Sequence, residues 1–178
     1  MILPIILYGD PILRKKSIDI DLQNSCKKKI NRLIKDMFET IHKVKGIGLA
    51  APQIGKNIRL FIVEIPTILE EENNNIINTY YKEVFINARI LKIHGKNCEF
   101  NEGCLSIPGI MEYVNRKSDV LIEYYNYNWK KKKKYITGIR ARVIQHEYDH
   151  LEGKLFIDYL PSVKRKLVMN RIINKINK

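Results

Sequence analysis

The segment VIQHEYDHLEGKLF (Val143–Phe156) determines how the rest of the chain is interpreted, because it holds the pattern His-Glu-x-x-His. On a helix, His146 and His150 lie four residues apart, so both imidazoles occupy one face and can share one metal ion. Glu147 can then act as a general base on a water at that ion. Apolar residues flank the pattern, which predicts a buried helix whose ionisable groups need a partner such as a metal.

A catalytic ion of this kind normally has three protein ligands and one open position, so the pattern needs a third ligand. One class of metalloproteases supplies a histidine at the position that Phe156 occupies here, and phenylalanine cannot bind a metal. Downstream, Glu152 is too close on the same helix to face the ion together with both histidines, and Asp158 is a weak alternative. The three-histidine site is therefore excluded, and the third ligand is expected upstream.

Cys104, in the compact segment NEGCLSIPG, is the best upstream ligand by elimination. A thiolate suits the vacancy, and a bound metal would keep the thiol deprotonated. A lone buried cysteine is more often a packing residue, so elimination leaves that alternative open. Three other upstream residues fit exposed or turn positions better: His42, His94 and Cys26. The position of Cys98 is ambiguous.

Length and composition are those of a globular protein with one domain: 178 residues, of which 45% are hydrophobic and 29% charged. We predict a single domain over residues 1–178, with residues 161–178 as a C-terminal basic helix. Three cysteines without a regular framework predict no disulfides and a reducing compartment. The start MILPIILYGDP lacks the basic flank of a signal peptide, and no apolar run is long enough to span a bilayer. These features predict a cytoplasmic protein without a membrane partner.

The net charge is +13, from 32 lysines and arginines against 19 aspartates and glutamates. Such a balance is typical of proteins that bind RNA or the ribosome. Lysine is abundant throughout the chain, however, and the run Lys130–Lys134 fits a solvated hairpin tip, so we attribute most of the charge to composition. The C-terminal segment is the exception, because it is predicted to form an amphipathic helix. Its apolar face would be turned toward the body of the protein: Val163, Leu167, Ile172 and Ile176.

Hydrophobic spacing predicts an amphipathic helix over residues 26–45, with Gly46 as a left-handed cap just past its end. Three segments rich in β-branched and aromatic residues are predicted to form strands: 58–65, 83–93 and 119–127. A second helix is predicted over residues 139–153. Because the strands precede the helix that carries the site, the fold class is α+β rather than an array of βαβ units.

Three segments, in this order, resemble the signature motifs of the peptide deformylase family: GIGLAAPQ (46–53), EGCLS (102–106) and QHEYDH (145–150). The segments YGDPILRKKS and LEGKLFIDYL are also similar to bacterial members, so the resemblance covers about residues 6–160. Three separate motifs in order are far more specific than one short pattern. The resemblance implies an α+β fold in which antiparallel sheets surround a central metal-binding helix, with an N-terminal and a C-terminal helix.

The resemblance also implies an activity, the hydrolytic removal of the formyl group from N-formyl-methionyl chains that emerge from the ribosome. It assigns metal binding to three residues: Cys104, His146 and His150. Glu147 would be the general base and acid, and the Gln53 amide and the Leu105 backbone N–H would stabilise the oxyanion. The family's metal in the cell is usually Fe²⁺, and Zn²⁺ or Ni²⁺ can replace it.

For the substrate, the resemblance implies that the backbone around Ile47 and Gly48 pairs with the peptide like an added strand. Gly48 suits that close approach because it has no Cβ. Three apolar residues are expected as walls of a methionine pocket: Ile47, Ile139 and Val143. At Met111 the chain departs from the family, where many members carry an arginine near the path of the peptide.

Charged residues near the ligands are expected to support them. Glu102 and Arg116 resemble a pair that steadies the loop of Cys104, and Asp149 is expected to orient a ligand or anchor its helix. Plain structural ion pairs are an equally good interpretation of these three residues.

Two other functions fit parts of the sequence. A small metallopeptidase would use His-Glu-x-x-His, but it does not need GIGLAAPQ or EGCLS. A basic RNA-binding or ribosome-binding module would explain the charge and leave the three motifs unexplained. Ribosome binding through the C-terminal helix can also be a second property of a deformylase, so the ribosome is expected as a partner beside the formylated peptide.

Overall fold

The computed structural model describes residues 1–70 and 76–176 of the chain. In chain order, the helices and strands are α1 (Lys27–Val44), β1 (Gly48–Ala50), β2 (Leu60–Glu70), β3 (Ile76–Cys104), β4 (Ile107–Tyr125), β5 (Lys131–Thr137), α2 (Gly138–Leu151) and α3 (Ser162–Ile176). Three short 3₁₀ helices lie at Pro11–Arg14, Ala51–Ile54 and Phe156–Tyr159. Within the described ranges, none of the helices has both the length and the apolar character needed to cross a membrane.

The strands form an antiparallel sheet in which each strand pairs with the next one in sequence, in the order β1-β2-β3-β4-β5. The pairing of β3 with β4 shifts register at four places along their length. Such irregularities bend and twist a strand, which lets the sheet curve. Helix α2 packs against β1, β2, β4 and β5. The α+β class, the antiparallel sheet and the central helix are therefore confirmed.

Helix α2 is bounded by two glycines in the left-handed region. Gly138, with φ 61°, turns the chain from β5 into the helix, and Gly153, with φ 69°, leads it away after the cap at Glu152. A Cβ at Gly153 would collide with the backbone carbonyl of Arg14, so only glycine fits there. The predicted helix over residues 139–153 and its end near Gly153 are confirmed.

Three apolar clusters hold the elements together. The first joins α2 to the sheet, with Phe61, Phe85, Tyr124, Val143 and Ile144 among its members. The second joins α1 to β2 and β3, with Ile34, Met37, Ile41, Leu60 and Ile62 among its members. The third joins α3 and the last 3₁₀ helix to β4, with Ile107, Phe156, Leu160, Val168 and Ile172 among its members. Phe156, which stands where a protease would have a metal ligand, is thus a packing residue.

The predicted cap of α1 was wrong by one residue. Lys45, not Gly46, adopts the left-handed conformation, with φ 54°. The N–H of Gly46 still closes the helix by donating to the carbonyl of Ile41 at 2.8 Å. The chain then continues from Gly46 into β1, which begins at Gly48.

The predicted apolar face of α3 was wrong in its first half and right at Ile172. Val163 and Leu167 are 74% and 56% exposed, whereas Ile172 is 4% exposed, as predicted. Val168, which was not predicted, is 1% exposed, and it meets the third apolar cluster together with Ile172, four residues further on. The side chain of Ile176 lies outside the described residues. All three cysteines are free thiols, as predicted.

Candidate metal centre and active site

The end of β3 and the middle of α2 bring together three potential metal ligands. One ligand atom each from Cys104, His146 and His150 lies within 4.8 Å of the others. The Cys104 Sγ is 3.3 Å from the His150 Nε2, and the two imidazole rings are 5.2 Å apart and nearly perpendicular. The predicted ligands, distant in sequence, therefore lie close enough together to share one metal ion.

Glu102 fixes the orientation of His146. The Nδ1 of His146 bonds to the Glu102 Oε2 at 3.0 Å, which leaves the Nε2 available for an ion. Burial alone would raise the pKa of Glu102, but the bonds from His146 and Arg116 outweigh this effect and lower its pKa to about 2. Glu102 therefore stays ionised, and a carboxylate behind a histidine ligand makes that ligand more basic.

The two histidines differ in their electrostatic surroundings. Burial lowers the pKa of His150 well below its usual value, and the neighbouring His146 lowers it further. Burial also opposes the charged form of His146, but the bonds to Cys104 and Glu102 outweigh it and raise the pKa well above the usual value. These surroundings favour the neutral form of His150, which is the form that binds a metal, and the charged form of His146.

Glu147 is a buried carboxylate with an unused oxygen. It is 5% exposed, and among the described residues its Oε2 has no hydrogen-bond partner. Burial raises the pKa of Glu147 to about 7, against the opposing charge of His146. An orphaned carboxylate oxygen beside three convergent N and S ligands fits a divalent ion with a reactive water or substrate next to it.

Gly48 makes room for Glu147. A Cβ on Gly48 would lie 2.5 Å from the Oε1 and 2.8 Å from the Cδ of Glu147. We expected the missing Cβ to serve the approach of a peptide; what the structure shows is that its absence makes room for the carboxylate. The first and third motifs are thereby packed directly against each other.

Gln53 and Leu105 lie next to the predicted ligand Cys104. The Gln53 Nε2 lies 3.4 Å from the Cys104 Sγ and 3.2 Å from the Ser106 Oγ, and the Gln53 Oε1 accepts from the Ala50 N–H at 2.9 Å. Leu105 is the first residue of the two-residue turn between β3 and β4. Ser106, which shares the Gln53 amide with Cys104, was missed in the sequence analysis.

A cavity of about 720 Å³ opens onto the ligands. Ile47, which is 42% exposed, and Val143, which is 6% exposed, both line it, as predicted for walls of the substrate pocket. Ile139 is not among the residues that line this cavity; it lines a second, smaller one. Met111 also lines the site cavity, with its sulfur over Gly103 on the neighbouring strand.

A buried network of charges supports the ligand loop and α2. Arg116 donates to Glu102 at 2.8 and 3.0 Å and to Asp149 at 2.6 Å. Tyr159 donates to Asp149 at 3.0 Å, and Arg142 donates to Glu102 at 2.9 Å. The sequence analysis missed Tyr159 and Arg142. Arg142 stands one helical turn before His146, where i and i+4 side chains share a face. Two carboxylates and two guanidinium groups balance each other in this network.

An antiparallel sheet packed on a helix, with a Cys-His-His cluster at a cavity that also holds an unpaired glutamate oxygen, is the arrangement of a metal-dependent hydrolase. Comparison with known families identifies one of them: the model of the polypeptide deformylase family matches residues 2–166 of the chain. The chain belongs to this family, whose members are metal-dependent enzymes that remove N-formyl groups from peptides.

Individual relatives agree with this assignment. A peptide deformylase of Karelsulcia muelleri is 53% identical over 158 residues, which is 89% of this chain and 78% of the relative. One of Christiangramia forsetii is 43% identical over 178 residues, covering 98% of this chain and 89% of the relative. The crystal structure of the Ehrlichia chaffeensis peptide deformylase has a TM-score of 0.86 at 32% identity and covers 99% of this chain and 98% of its own. A second structure of the Ehrlichia protein, in complex with actinonin, has a TM-score of 0.84.

Proposed function

We propose that Cys104, His146 and His150 hold one divalent ion, Fe²⁺ in the cell, and that Glu147 is the general base and acid of the deformylation. The substrates are N-formyl-methionyl chains in the cytoplasm, and the whole chain acts as one catalytic domain. The observation that carries this proposal is the unpaired Glu147 oxygen beside the three convergent ligands. When bound, the ion polarises the formyl oxygen and lowers the pKa of water.

The side chains supply the proton transfers. Glu147 accepts a proton from the attacking water and then delivers it to the amine that leaves. The Leu105 N–H and the Gln53 amide stabilise the charge that develops on the formyl oxygen. Because the Gln53 Nε2 faces both Cys104 and Ser106, one of its hydrogens has to turn toward the substrate.

The peptide is proposed to bind along β1. Among the strands that the structure describes, β1 is at one end of the sheet order and pairs with β2 on one side. On that side the Ile47 carbonyl accepts from the Glu64 N–H at 2.9 Å. An extended peptide that adds to the free edge places its first residue beside Glu147 and its first side chain toward Val143.

Replacing Cys104 with serine should remove the metal. We expect about one ion per chain in the wild-type protein isolated without air, and a fall in metal content for Cys104→Ser, because a serine hydroxyl is a poor ligand beside two imidazoles. Deformylation of formyl-Met peptides should drop by roughly a hundredfold or more. Elemental analysis gives both the metal content and the identity of the ion.

Cys98→Ser is the matched control, because Cys98 is an exposed thiol on the same strand. It should keep both metal and activity. Full metal content in Cys104→Ser would contradict the ligand assignment, and cleavage of internal peptide bonds without deformylation would favour the metallopeptidase alternative.

We propose the ribosome as a further partner, bound through α3. Deleting the helix is a poor test, because Val168 and Ile172 are part of the core. We expect instead that Lys166→Glu combined with Arg171→Glu, two exposed cations of α3, weakens co-sedimentation with ribosomes and leaves deformylation of short peptides intact.

The same charge reversal at Lys130 and Lys132, on the hairpin between β4 and β5, is the control. If both double variants lose sedimentation equally, the contact is a general effect of net charge rather than a property of α3.

A further inference from the structure

A further cavity, of about 580 Å³, shares none of its lining residues with the site cavity. It lies where two strands separate. The described pairing of β3 with β4 begins at Ile86 and Tyr125, and the earlier residues of β3 pair with β2. Beyond Tyr125 the chain enters the hairpin turn 126–130, which leads into β5. Helix α1 and this turn both pack into the second apolar cluster, and the space left between them and β3 is the cavity.

The hairpin turn is held firmly in place. The Asn126 Oδ1 accepts from the N–H groups of Asn128 at 3.1 Å and Lys130 at 3.0 Å. Trp129 adopts the left-handed conformation, with φ 61°, and its indole Nε1 donates to the Asn31 Oδ1 of α1 at 3.0 Å. The wall that the turn contributes is therefore formed before any ligand arrives, which lowers the cost of binding.

The floor of the cavity is apolar. Ile34 and Phe38 of α1 and Val84 of β3 are 0%, 8% and 4% exposed, and the half-buried Tyr127 adds a ring from the turn. Pockets of roughly 300 to 1,000 Å³ with mostly apolar walls are typical of sites for small organic molecules. The cavity thus has the size and the lining to take one apolar or aromatic group.

The rim of the cavity carries an uncompensated positive charge. Its two carboxylates are already engaged by other cations, Glu39 by the Met1 amine and Glu83 by the Lys134 Nζ at 2.6 Å. Lys35, an exposed cation of α1, has neither an ion pair nor a hydrogen bond among the described residues. A negative charge placed at this rim therefore meets a free cation and no free carboxylate.

Lys82 adds a second cation directly above the floor. Its Nζ lies 3.9 Å from the centre of the Phe38 ring and donates to the Glu64 Oε1 at 3.0 Å. His42, also at the rim, bonds to the other oxygen of Glu64. Because an ammonium group has three N–H donors, Lys82 can serve Glu64 and still bond to a ligand. A positive group over an apolar floor suits a molecule with an apolar body and one anionic end.

We propose that this cavity binds a small amphipathic carboxylate, with its apolar or aromatic group on the floor and its carboxylate at the rim beside Lys35 and Lys82. The occupant is a free molecule, because the cavity has the volume for one molecule of that size and its cations match a single negative charge. The inference does not rest on the proposed function, since none of the metal ligands lines this cavity.

The test uses three probes that differ only at one end: 4-phenylbutyrate, its neutral amide, and 4-phenylbutylamine. Each is titrated into the full-length ¹⁵N-labelled protein, and the amide NMR signals are followed. The acid should bind several-fold more tightly than the amide or the amine, because only its charge complements the rim. Its largest shifts should fall on residues that line this cavity on α1, β3 and the hairpin turn.

Charge reversal at Lys35 checks the contact itself. Lys35→Glu should weaken binding of 4-phenylbutyrate by roughly three- to tenfold and leave binding of the amide unchanged, because exposed ion pairs have effects of this order. Lys35→Gln should give a smaller loss. Lys29→Glu is the matched control, since it makes the same change at an exposed position of the same helix that does not line the cavity. It should bind all three probes as the wild type does.

Several results would overturn the inference. These are no shifts at millimolar probe, equal affinity for the three probes, shifts confined to the site cavity, and wild-type binding of the acid by folded Lys35→Glu. A tripeptide ending in phenylalanine that binds this cavity more tightly than 4-phenylbutyrate would identify a peptide as the occupant instead. A dimer of the protein that the acid dissociates would identify a second copy of the chain.

Discussion

Replacing Glu147 with glutamine should lower kcat for formyl-Met peptides by roughly a hundred- to ten-thousandfold, the usual contribution of a general acid–base residue. Glutamine has almost the same shape, so it should fit the buried site of Glu147. It cannot accept the proton of the attacking water or pass it to the leaving amine. Steady-state kinetics with the metal content measured on the same sample test this expectation.

The pH profile gives a second readout for Glu147. A base works only when ionised, so the wild-type rate should fall as the pH drops through the pKa of Glu147. Burial raises that pKa to about 7, and a bound cation pulls it down, so this fall should come at or below pH 7. The residual activity of Glu147→Gln should not show this fall in rate at low pH. Metal-loaded Glu147→Gln with near-normal kcat would assign the proton transfer to another group.

Replacing Gly48 with alanine should cost roughly a hundredfold in kcat, because a new methyl group would lie 2.5 Å from the Glu147 Oε1 and force the carboxylate to move. Displacing a catalytic group by about 1 Å commonly has an effect of this size. The ligands are not touched directly, so metal content should stay near that of the wild type. The variant therefore separates the position of Glu147 from the binding of the ion.

Gly46→Ala is the matched control, since it makes the same change two residues away. Its Cβ would lie 3.2 Å from a methyl group of Leu105, a flexible side-chain end that can shift. The loss of kcat should be much smaller than in Gly48→Ala. Equal losses in the two variants would mean that any added methyl group on this edge disturbs the substrate, and that the contact with Glu147 is not the cause.

The sequence was sufficient for the fold class and for the ligand cluster. His146 and His150 follow from helical spacing, and Cys104 followed from elimination and from the order of the three motifs. The structure adds the reason that the three meet: Cys104 ends the long strand β3 just before a two-residue turn, and α2 packs across the sheet at that end. No spacing rule connects positions that far apart in the chain.

The remaining differences have local physical causes. On α3, Ile172 was assigned correctly, but Val163 and Leu167 were not, because apolar residues surround the helix and only the position of the third cluster decides which of them are buried. Ile139 has the right spacing for a pocket wall, but it lines the second, smaller cavity and not the cavity of the site. Arg142 was overlooked because a charged residue in an apolar helix gives no hint of its carboxylate partner.

Strand β1 has a consequence for the range of proteins that the enzyme can serve. The proposed pairing along its free edge would use backbone groups, which are the same in every polypeptide, so the residues that follow the formylated one would not have to match a sequence. One enzyme could in this way process the products of many different genes. With only three residues, Gly48–Ala50, the edge is also too short to template extended pairing between copies of the protein.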